Sequence, residues 1–409
     1  MPEFTKTIKL KLNVTQNQIV LFKEMTEQYR KACNFVSQYV FSHDYELNSN
    51  VLQKALYTKF RSSFGLKSQL AQSTFKTVTA RYKTVQTQLS KNPFKYKDEN
   101  DEWQTIPKTL EWLWKPVVFY RPQADLVRNR DYSFLEDGKI LSLNTLQKRV
   151  KCTFEGDFYS EYLDGSWNLG TGKLVELNGL WYLHIPVSKE IEEMQRENVK
   201  HVVGIDRGLR FLATTYDEKG KTQFISGKEI MRKRDKFAQI RERLQKKHTW
   251  SAKRALKRIS GRENRWMSDI NHQISKTLVE KYGKDTFFVL EDLTGVSFDD
   301  NLDGKSKQSK RQLRSWAFYQ LEQFLDYKAR FAGSAVVTVP ANYTSQRCPK
   351  CGGIHKEYRH HNTHEYICEN CGYRANDDLT GARNIYLLGK MYVSGVEKPR
   401  FKKTKSVEN

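Results

Sequence analysis

Three acidic residues stand where a chain could do chemistry. Asp206 closes the apolar run Val202-Val203-Gly204-Ile205, and Gly208 allows a tight turn into the strand that follows. Glu291 closes Phe287-Phe288-Val289-Leu290, and Asp378 opens Asp378-Leu379-Thr380-Gly381-Ala382-Arg383-Asn384-Ile385, which reads as a helix N-terminus. They lie 85 and 87 residues apart, yet carboxylates at the ends of adjacent strands can converge on one spot. Three such charges repel unless cations sit between them, and hard oxygen ligands suit Mg2+ or Mn2+. Two such ions about 4 Å apart can activate a water and stabilise the leaving oxygen in phosphodiester hydrolysis. Any one of these acids alone reads more simply as a strand-end cap or a surface ion pair. The strand-Gly-x-Asp setting and the ordered set of three favour a site. Asp377 competes with Asp378 and Asp292 with Glu291, and in each pair one points away if the other points in.

A second constellation is built from sulfur. Of six cysteines, Cys33 and Cys152 stand alone, while Cys348-Pro349-Lys350-Cys351 and Cys368-Glu369-Asn370-Cys371 form two Cys-x-x-Cys knuckles 16 residues apart. That spacing matches a zinc ribbon, in which four thiolates bind one Zn2+ tetrahedrally. Four ligands leave no open position, so such a zinc is structural. A redox role for a lone Cys-x-x-Cys is a weak reading with two copies this close. His355, His360, His361 and His364 lie between the knuckles and offer alternative ligation, with solvent-facing or phosphate-facing roles preferred.

The charge balance names the class of partner. The 409 residues hold 70 Lys+Arg against 47 Asp+Glu, a formal net charge of +23. An excess this large points to a polyanion. A basic membrane-surface protein would concentrate its charge in one amphipathic helix or tail, whereas here basic residues run the whole length. Residues 228–265 hold 15 Lys/Arg and 4 Asp/Glu over an apolar stripe of Phe237, Ile240, Leu244, Leu256 and Ile259. A charge run is usually a solvated face, but this one would repel itself without a polyanion. Lys233, Arg234, Lys246, Lys247, Lys253, Arg254, Lys257 and Arg258 are therefore the candidate nucleic-acid contacts. Trp250 and Trp266 either stack on bases or pack into the core. No apolar run approaches the ~20 residues that span a bilayer. The start, Met1-Pro2-Glu3-Phe4-Thr5-Lys6, has no apolar signal core, so an intracellular, cytoplasmic setting is expected.

The length suggests two to four domains. Residues 4–12 alternate, with Ile8, Leu10 and Leu12 on one face, and read as a strand. Thr15 and Gln18 fit a capping box for a helix carrying Ile19, Phe22, Tyr29, Val36 and Val40. Residues 50–115 continue in a helical, Lys-rich manner, with little turn chemistry before Asn92-Pro93. Short β-type runs follow at 117–120, 139–143 and 150–154, and Asn178-Gly179 joins 173–177 to 180–187 in a hairpin. The stretch 117–190 is thus a small β-barrel or curled sheet completed by the N-terminal strand, with the helical block inserted. Paired strands at 202–205 and 211–215 precede a long helical stretch at 227–282. A strand at 286–290, a helix at 313–331 and a strand at 335–339 complete the pattern. Residues 301–312 are expected to be mobile and 397–409 disordered.

These motifs resemble TnpB (OrfB), the transposon-encoded RNA-guided endonuclease. The resemblance rests on Gly204-Ile205-Asp206-Arg207-Gly208, Leu290-Glu291-Asp292-Leu293, Tyr343-Thr344-Ser345-Gln346-Arg347-Cys348-Pro349-Lys350-Cys351-Gly352 and the run from Asp378 to Ile385. Ser251-Ala252-Lys253-Arg254, Arg262-Glu263, Asn271-His272-Gln273-Ile274-Ser275-Lys276 and Tyr327-Lys328-Ala329 are similar to further family motifs. The match is dense from about 200 to 390, sparser in the first strand and helix, and loose from 50 to 200. It implies a multidomain α/β protein with a RuvC (RNase H-like) nuclease domain at 199–345 and 372–395, carrying a zinc-ribbon insertion at 346–371. It also implies a β-barrel wedge domain at 1–14 and 116–198, interrupted by a helical recognition domain at 15–115, with a disordered tail at 396–409. By this resemblance a guide RNA and target double-stranded DNA are the partners, one protein binds each RNA, and a short motif beside the target is read by the N-terminal half. Asp206, Glu291 and Asp378 match the catalytic acids. The family usually has Asn-Ala-Ala where this chain has Thr380-Gly381-Ala382. Miniature type V CRISPR effectors share the layout, and some have Gly at the position of Gly381.

Two other classes compete. A nuclease-silent RNA-guided regulator would be expected to lack at least one of the three acids, and all three are present. A transposase that joins DNA ends would show a tyrosine or serine recombinase signature, and none stands out.

Overall fold

A computed structural model describes residues 3–136, 138–155, 160–293, 318–360 and 362–402. The chain divides into a unit of Glu3–Glu190 and a second that begins at Ile191.

In the first unit, β1 (Glu3–Asn13) buries Ile8, Leu10 and Leu12, as its alternation requires. Thr15 and Gln18 form the capping box of α1 (Gln16–Ser42), whose buried face includes Phe22, Tyr29, Val36 and Val40. Helices α2 (Ser49–Phe64) and α3 (Ser68–Lys91) pack with it, Gly65 closing α2 in the left-handed conformation. The helical block ends at Lys91. The expectation of helix up to 115 gives way to a hairpin of β2 (Phe94–Lys97) and β3 (Trp103–Ile106). Pro93 disfavours continued helix, and the Asp98 carboxylate accepts from the Asn100 and Glu102 amides to make a turn.

Seven further strands follow: β4 (Gln123–Leu126), β5 (Tyr132–Leu135), β6 (Ile140–Asn144), β7 (Arg149–Glu155), β8 (Asn168–Leu169), β9 (Gly172–Leu177) and β10 (Leu180–Glu190), with the short α4 (Ser160–Leu163) after β7. The sheet runs β4-β9-β10-β1-β7-β6-β5, with β8 beside β10. Among the described residues the β4 and β5 ends are linked by an isolated bridge between Arg128 and Tyr132 and by no longer ladder. Asn178 and Gly179 both have positive φ, as the two-residue turn between β9 and β10 requires. Residues 117–120 are not a strand. Their carbonyls and amides bond the α1 side chains instead: Ser37 donates to Val117 O (2.6 Å), and Asn34 both donates to and accepts from Phe119.

The second unit is built on β11 (His201–Asp206), β12 (Phe211–Asp217), β13 (Thr222–Ser226), β14 (Thr286–Asp292) and β15 (Ala335–Pro340), ordered β13-β12-β11-β14-β15. Strands β11, β14 and β15 are parallel, and β12 and β13 antiparallel. The expected long helix is three: α5 (Lys228–Lys246), α6 (Trp250–Ile259) and α7 (Arg262–Tyr282). It breaks at His248 and Gly261, both at positive φ, and Thr249 caps α6. Helix α8 (Phe318–Phe331) precedes β15. The reading of 301–312 as mobile lies outside the described residues, as do 313–317. A three-stranded sheet of β16 (Arg359–His360), β17 (Glu365–Ile367) and β18 (Arg374–Asn376) follows, then α9 (Asp377–Val393).

The mixed sheet is covered on both faces with a period of two. Val203, Ile205, Phe288 and Leu290 pack with Leu278 of α7 and Leu321 and Leu325 of α8. Val202, Phe287, Val289 and Val339 pack with Ile385 and Leu388 of α9. Phe401 joins this second cluster and stacks on the Arg347 guanidinium at 4.4 Å, so the expected disorder of 396–409 does not describe that position. Residues 403–409 lie outside the described set. Among the described residues no helix is long and apolar enough to cross a membrane.

Candidate active site and metal centre

Strands β11 and β14 are parallel neighbours with Ile205 opposite Leu290, so Asp206 and Glu291 end adjacent strands one residue later. Alternation puts Asp206 on the face of Val202 and Gly204, and Glu291 on the face of Phe287 and Val289, against which α9 packs. The helix comes so close that a Cβ at Gly204 would collide with the Ala382 carbonyl and the Tyr386 backbone. Asn376 caps α9, accepting from the amides of Asp378 (3.0 Å) and Leu379 (3.3 Å), and so sets Asp378 in the first turn. Gly381 then lies directly under Asp206, where a Cβ would stand 2.7 Å from Oδ2. The departure at Gly381 thus has a steric reason, while Thr380 is buried and donates to the Asn376 carbonyl (3.1 Å). The C-terminal edge of two parallel strands is where open α/β sheets usually present ligand groups.

The two rivals point elsewhere. Asp377 is buried and pairs with Arg359 (3.0 Å), with the His364 ring 3.7 Å away. Asp292 follows Glu291 in the same strand and therefore faces the other side of the sheet.

Burial pushes the Asp206 carboxyl well above the usual range, and the charges of Glu291 and Asp378 push it further. Burial likewise raises Glu291, against the opposing pull of the Thr344 hydroxyl and of Arg207 and Arg359. Asp378 is raised by burial and by Asp377 beside it. Its Oδ2 is buried without a hydrogen-bond partner. Crowded carboxylates held at elevated pKa, one with an orphaned oxygen, are a donor set that hard divalent cations fit. They do not cluster as closely as the cysteines do: among the described residues, only the four sulfurs have ligand atoms all within 4.8 Å of one another.

Cys348 and Cys371 sulfurs are 3.6 Å apart, and those of Cys351 and Cys368 are 3.5 Å apart. A tetrahedral ion with bonds of about 2.3 Å needs an edge of about 3.8 Å, so the four sulfurs could hold one metal ion. Backbone amides aim at the sulfurs. The Gly353 amide holds the Cys351 thiol down at about 7, whereas burial drives Cys368 up to about 12. Neither His355, beside Tyr358, nor His364, beside Asp377, joins the sulfur cluster, and His361 lies outside the described residues.

The sulfur site is stitched to the carboxylates by residues that spacing alone did not single out. Asn384, fully buried on α9, donates to the carbonyls of Thr344 (2.8 Å) and Arg347 (2.7 Å), just before Cys348. The Thr344 hydroxyl donates to Glu291 Oε1. Arg207 pairs with Glu322 (2.9 Å) and donates to the Glu291 carbonyl (2.6 Å). Thr344, Asn384 and Arg207 lay within quoted motifs, but nothing in their spacing named these partners.

Comparisons with known proteins follow the same division. Residues 184–294, which include Asp206 and Glu291, match a family model described as "Probable transposase". Residues 318–385, which include the four cysteines and Asp378, match one described as "Cas12f1-like, TNB domain". A TnpB-like protein of Methanocaldococcus jannaschii is 27% identical over 58% of this chain and 84% of its own length. The CRISPR-associated endodeoxyribonuclease Cas12f1 of Sulfoacidibacillus thermotolerans is 24% identical over 89% of this chain and 92% of its own. The putative RNA-guided DNA endonuclease InsQ of Escherichia coli is 29% identical, and the match spans 52% of this chain and 54% of that protein. The chain is thus similar to TnpB-like proteins and to Cas12f1.

The chain shares its fold with effector structures of far lower sequence identity. A Cas12f1-sgRNA-target DNA complex matches with a TM-score of 0.58 at 13% identity, covering 94% of this chain and 99% of that one. A mini-RNA-guided endonuclease, Cas_phi3, matches with a TM-score of 0.59 at 11% identity, covering 98% and 94%.

The basic helices separate into surface and staple. Lys233, Lys246, Lys247, Lys253, Arg254, Lys257 and Arg258 are exposed. Arg234 is not available as a nucleic-acid contact. It is buried and ion-paired with Glu263 of α7 (3.2 Å), which also binds Arg241, so it joins α5 to α7. Trp250 is 76% exposed with Lys253 over its ring, whereas Trp266 packs against Phe237 and into the core.

Proposed function

We propose that this protein is an RNA-guided DNA endonuclease that binds a transposon-derived guide RNA, reads a short target-adjacent motif and cleaves both strands at one RuvC-type centre. The observation that carries this is the convergence of Asp206, Glu291 and Asp378 at the ends of two parallel strands and one helix. That centre lies beside a four-sulfur ribbon in a chain of formal net charge +23. Asp206, Glu291 and Asp378 would hold Mg2+ or Mn2+, which supplies an activated water and neutralises charge on the leaving oxygen. The chain's own part is to hold three oxygen donors on a rigid sheet edge. Arg207 fixes the β14 backbone, Asn376 fixes the first turn of α9, and Gly381 leaves Asp206 its space. Cys348, Cys351, Cys368 and Cys371 would hold structural Zn2+. The curled sheet of the first unit serves as the wedge domain and its helices as the recognition domain, with the nuclease acting in the cytoplasm of a prokaryotic cell.

The test is to purify the full chain from cells that also express its flanking RNA and to sequence what it retains. One discrete RNA is expected, with cleavage of a matching target in Mg2+ and none in EDTA. Absence of a discrete RNA would sink the guided reading, and cutting by Asp206→Ala at the wild-type rate would sink the site. The near full-length match to a Cas12f1 supports a second reading, a miniature CRISPR effector. An RNA carrying CRISPR repeat sequence rather than a transposon end would favour it.

A further inference from the structure

We infer that Thr344 is a positioning residue that aims the Glu291 carboxylate, and that Asn384 holds it in place. The inference rests on the proposed reading that the carboxylates bind divalent cations. Glu291 is anchored at two levels. Its main chain is held by Arg207, which donates to its carbonyl at 2.6 Å. Its side chain is held separately: the Thr344 hydroxyl donates to Oε1. That hydroxyl has one other acceptor in reach, the Ala341 carbonyl at 2.9 Å, so it can release Glu291 without being left unsatisfied.

Thr344 sits in the loop between β15 and Cys348, is 2% exposed and cannot move independently of its surroundings. Asn384 spends both amide protons on this loop, on the carbonyls of Thr344 and Arg347, and its own oxygen faces Arg347 Nη1 at 3.4 Å. Tyr343, at φ 65°, accepts the amides of Gln346 (3.0 Å) and Arg347 (2.9 Å), which tightens the same turn. The helix that carries Asp378 therefore also carries the amide that orders the hydroxyl on Glu291. Outer groups that orient metal-binding carboxylates typically change metal affinity by about 10–100-fold when removed.

The test uses zinc-loaded full-length protein and titrates Mn2+ by electron paramagnetic resonance, so that no cleavage is needed as a readout. Thr344→Val, nearly isosteric, is expected to weaken Mn2+ binding about 10–100-fold while keeping the wild-type zinc content. Thr344→Ser is expected to restore binding to within a few-fold, and Asn384→Asp, which loses the donors, to weaken it as the valine does. Wild-type Mn2+ affinity in Thr344→Val overturns the inference. Equal Mn2+ binding by wild type and Asp206→Ala overturns the carboxylate reading itself, and this inference with it.

Discussion

At position 381 a single methyl group would occupy the space that the Asp206 carboxylate uses, 2.7 Å from its Oδ2. Gly381→Ala must therefore turn Asp206 aside or lift α9. Cleavage should fall about 10–100-fold in a single-turnover assay, with guide binding by filter retention unchanged. Protons should compete with cations at the same three groups. Their carboxyls are all raised by burial, so the protonated forms persist to higher pH than the usual value of about 4. Mn2+ affinity, measured by calorimetry, should weaken as the pH falls, with proton uptake by the free protein, and the loss should set in at a higher pH than ordinary carboxylates would give. The acids themselves were readable because each closes an apolar run or opens a helix. The orienting groups were not, because Thr344 reaches Glu291 across 53 residues and Asn384 reaches Thr344 across 40.

Helices α5 and α7 show how one element can carry two kinds of cation. Glu263 lies half-buried between Arg234 and Arg241, so its removal takes an ion-pair partner from the buried Arg234. Glu263→Ala should cost about 2–4 kcal/mol and lower the thermal midpoint by several degrees in scanning calorimetry. Lys257→Ala, on the exposed face of α6, should leave the midpoint alone. It should reduce the slope of log affinity against log salt by about one if that lysine meets a phosphate. Sequence periodicity found the apolar stripe of these helices but could not sort the cations, since Arg234 and its neighbour Lys233 are chemically alike in a charge run. The same limit applies at 117–120, where a β-type run bonds to Asn34 and Ser37 rather than to another strand. The α1 partners, 80 and 85 residues away, and the Tyr82 hydroxyl of α3 decide that outcome.

For the whole molecule, the sulfur site and the carboxylates share the loop that runs from Thr344 to Cys348. Removing the metal from the four cysteines should relax that loop and weaken Mn2+ binding at the distant carboxylates, with the reciprocal effect required by linkage. Mn2+ titration of chelator-treated and zinc-repleted protein checks this, and equal affinities would contradict it. Limited proteolysis of the treated protein should cut first between residues 346 and 376. The knuckles were legible from their spacing alone, and the alternation of β1 and the Asn178-Gly179 turn placed two strands of the first sheet. What the spacing could not give is the extent of the ribbon, whose last strand reaches Asn376 and runs directly into α9.

Strand β1 lies in the middle of its sheet, paired on one side with β7 and on the other with β10. It is made before its partners, which leave the ribosome some 140 to 190 residues later. At roughly 5–20 residues per second that is a wait on the order of ten seconds or more. Meanwhile α1, α2 and α3 can pack locally, because their contacts are close in sequence. The nascent chain should thus pass through a stage with a helical bundle formed and an apolar strand unpaired at both edges, a natural client for a chaperone. Pulsed hydrogen exchange on refolding protein should protect the α1 and α3 amides before those of Ile8 and Leu10.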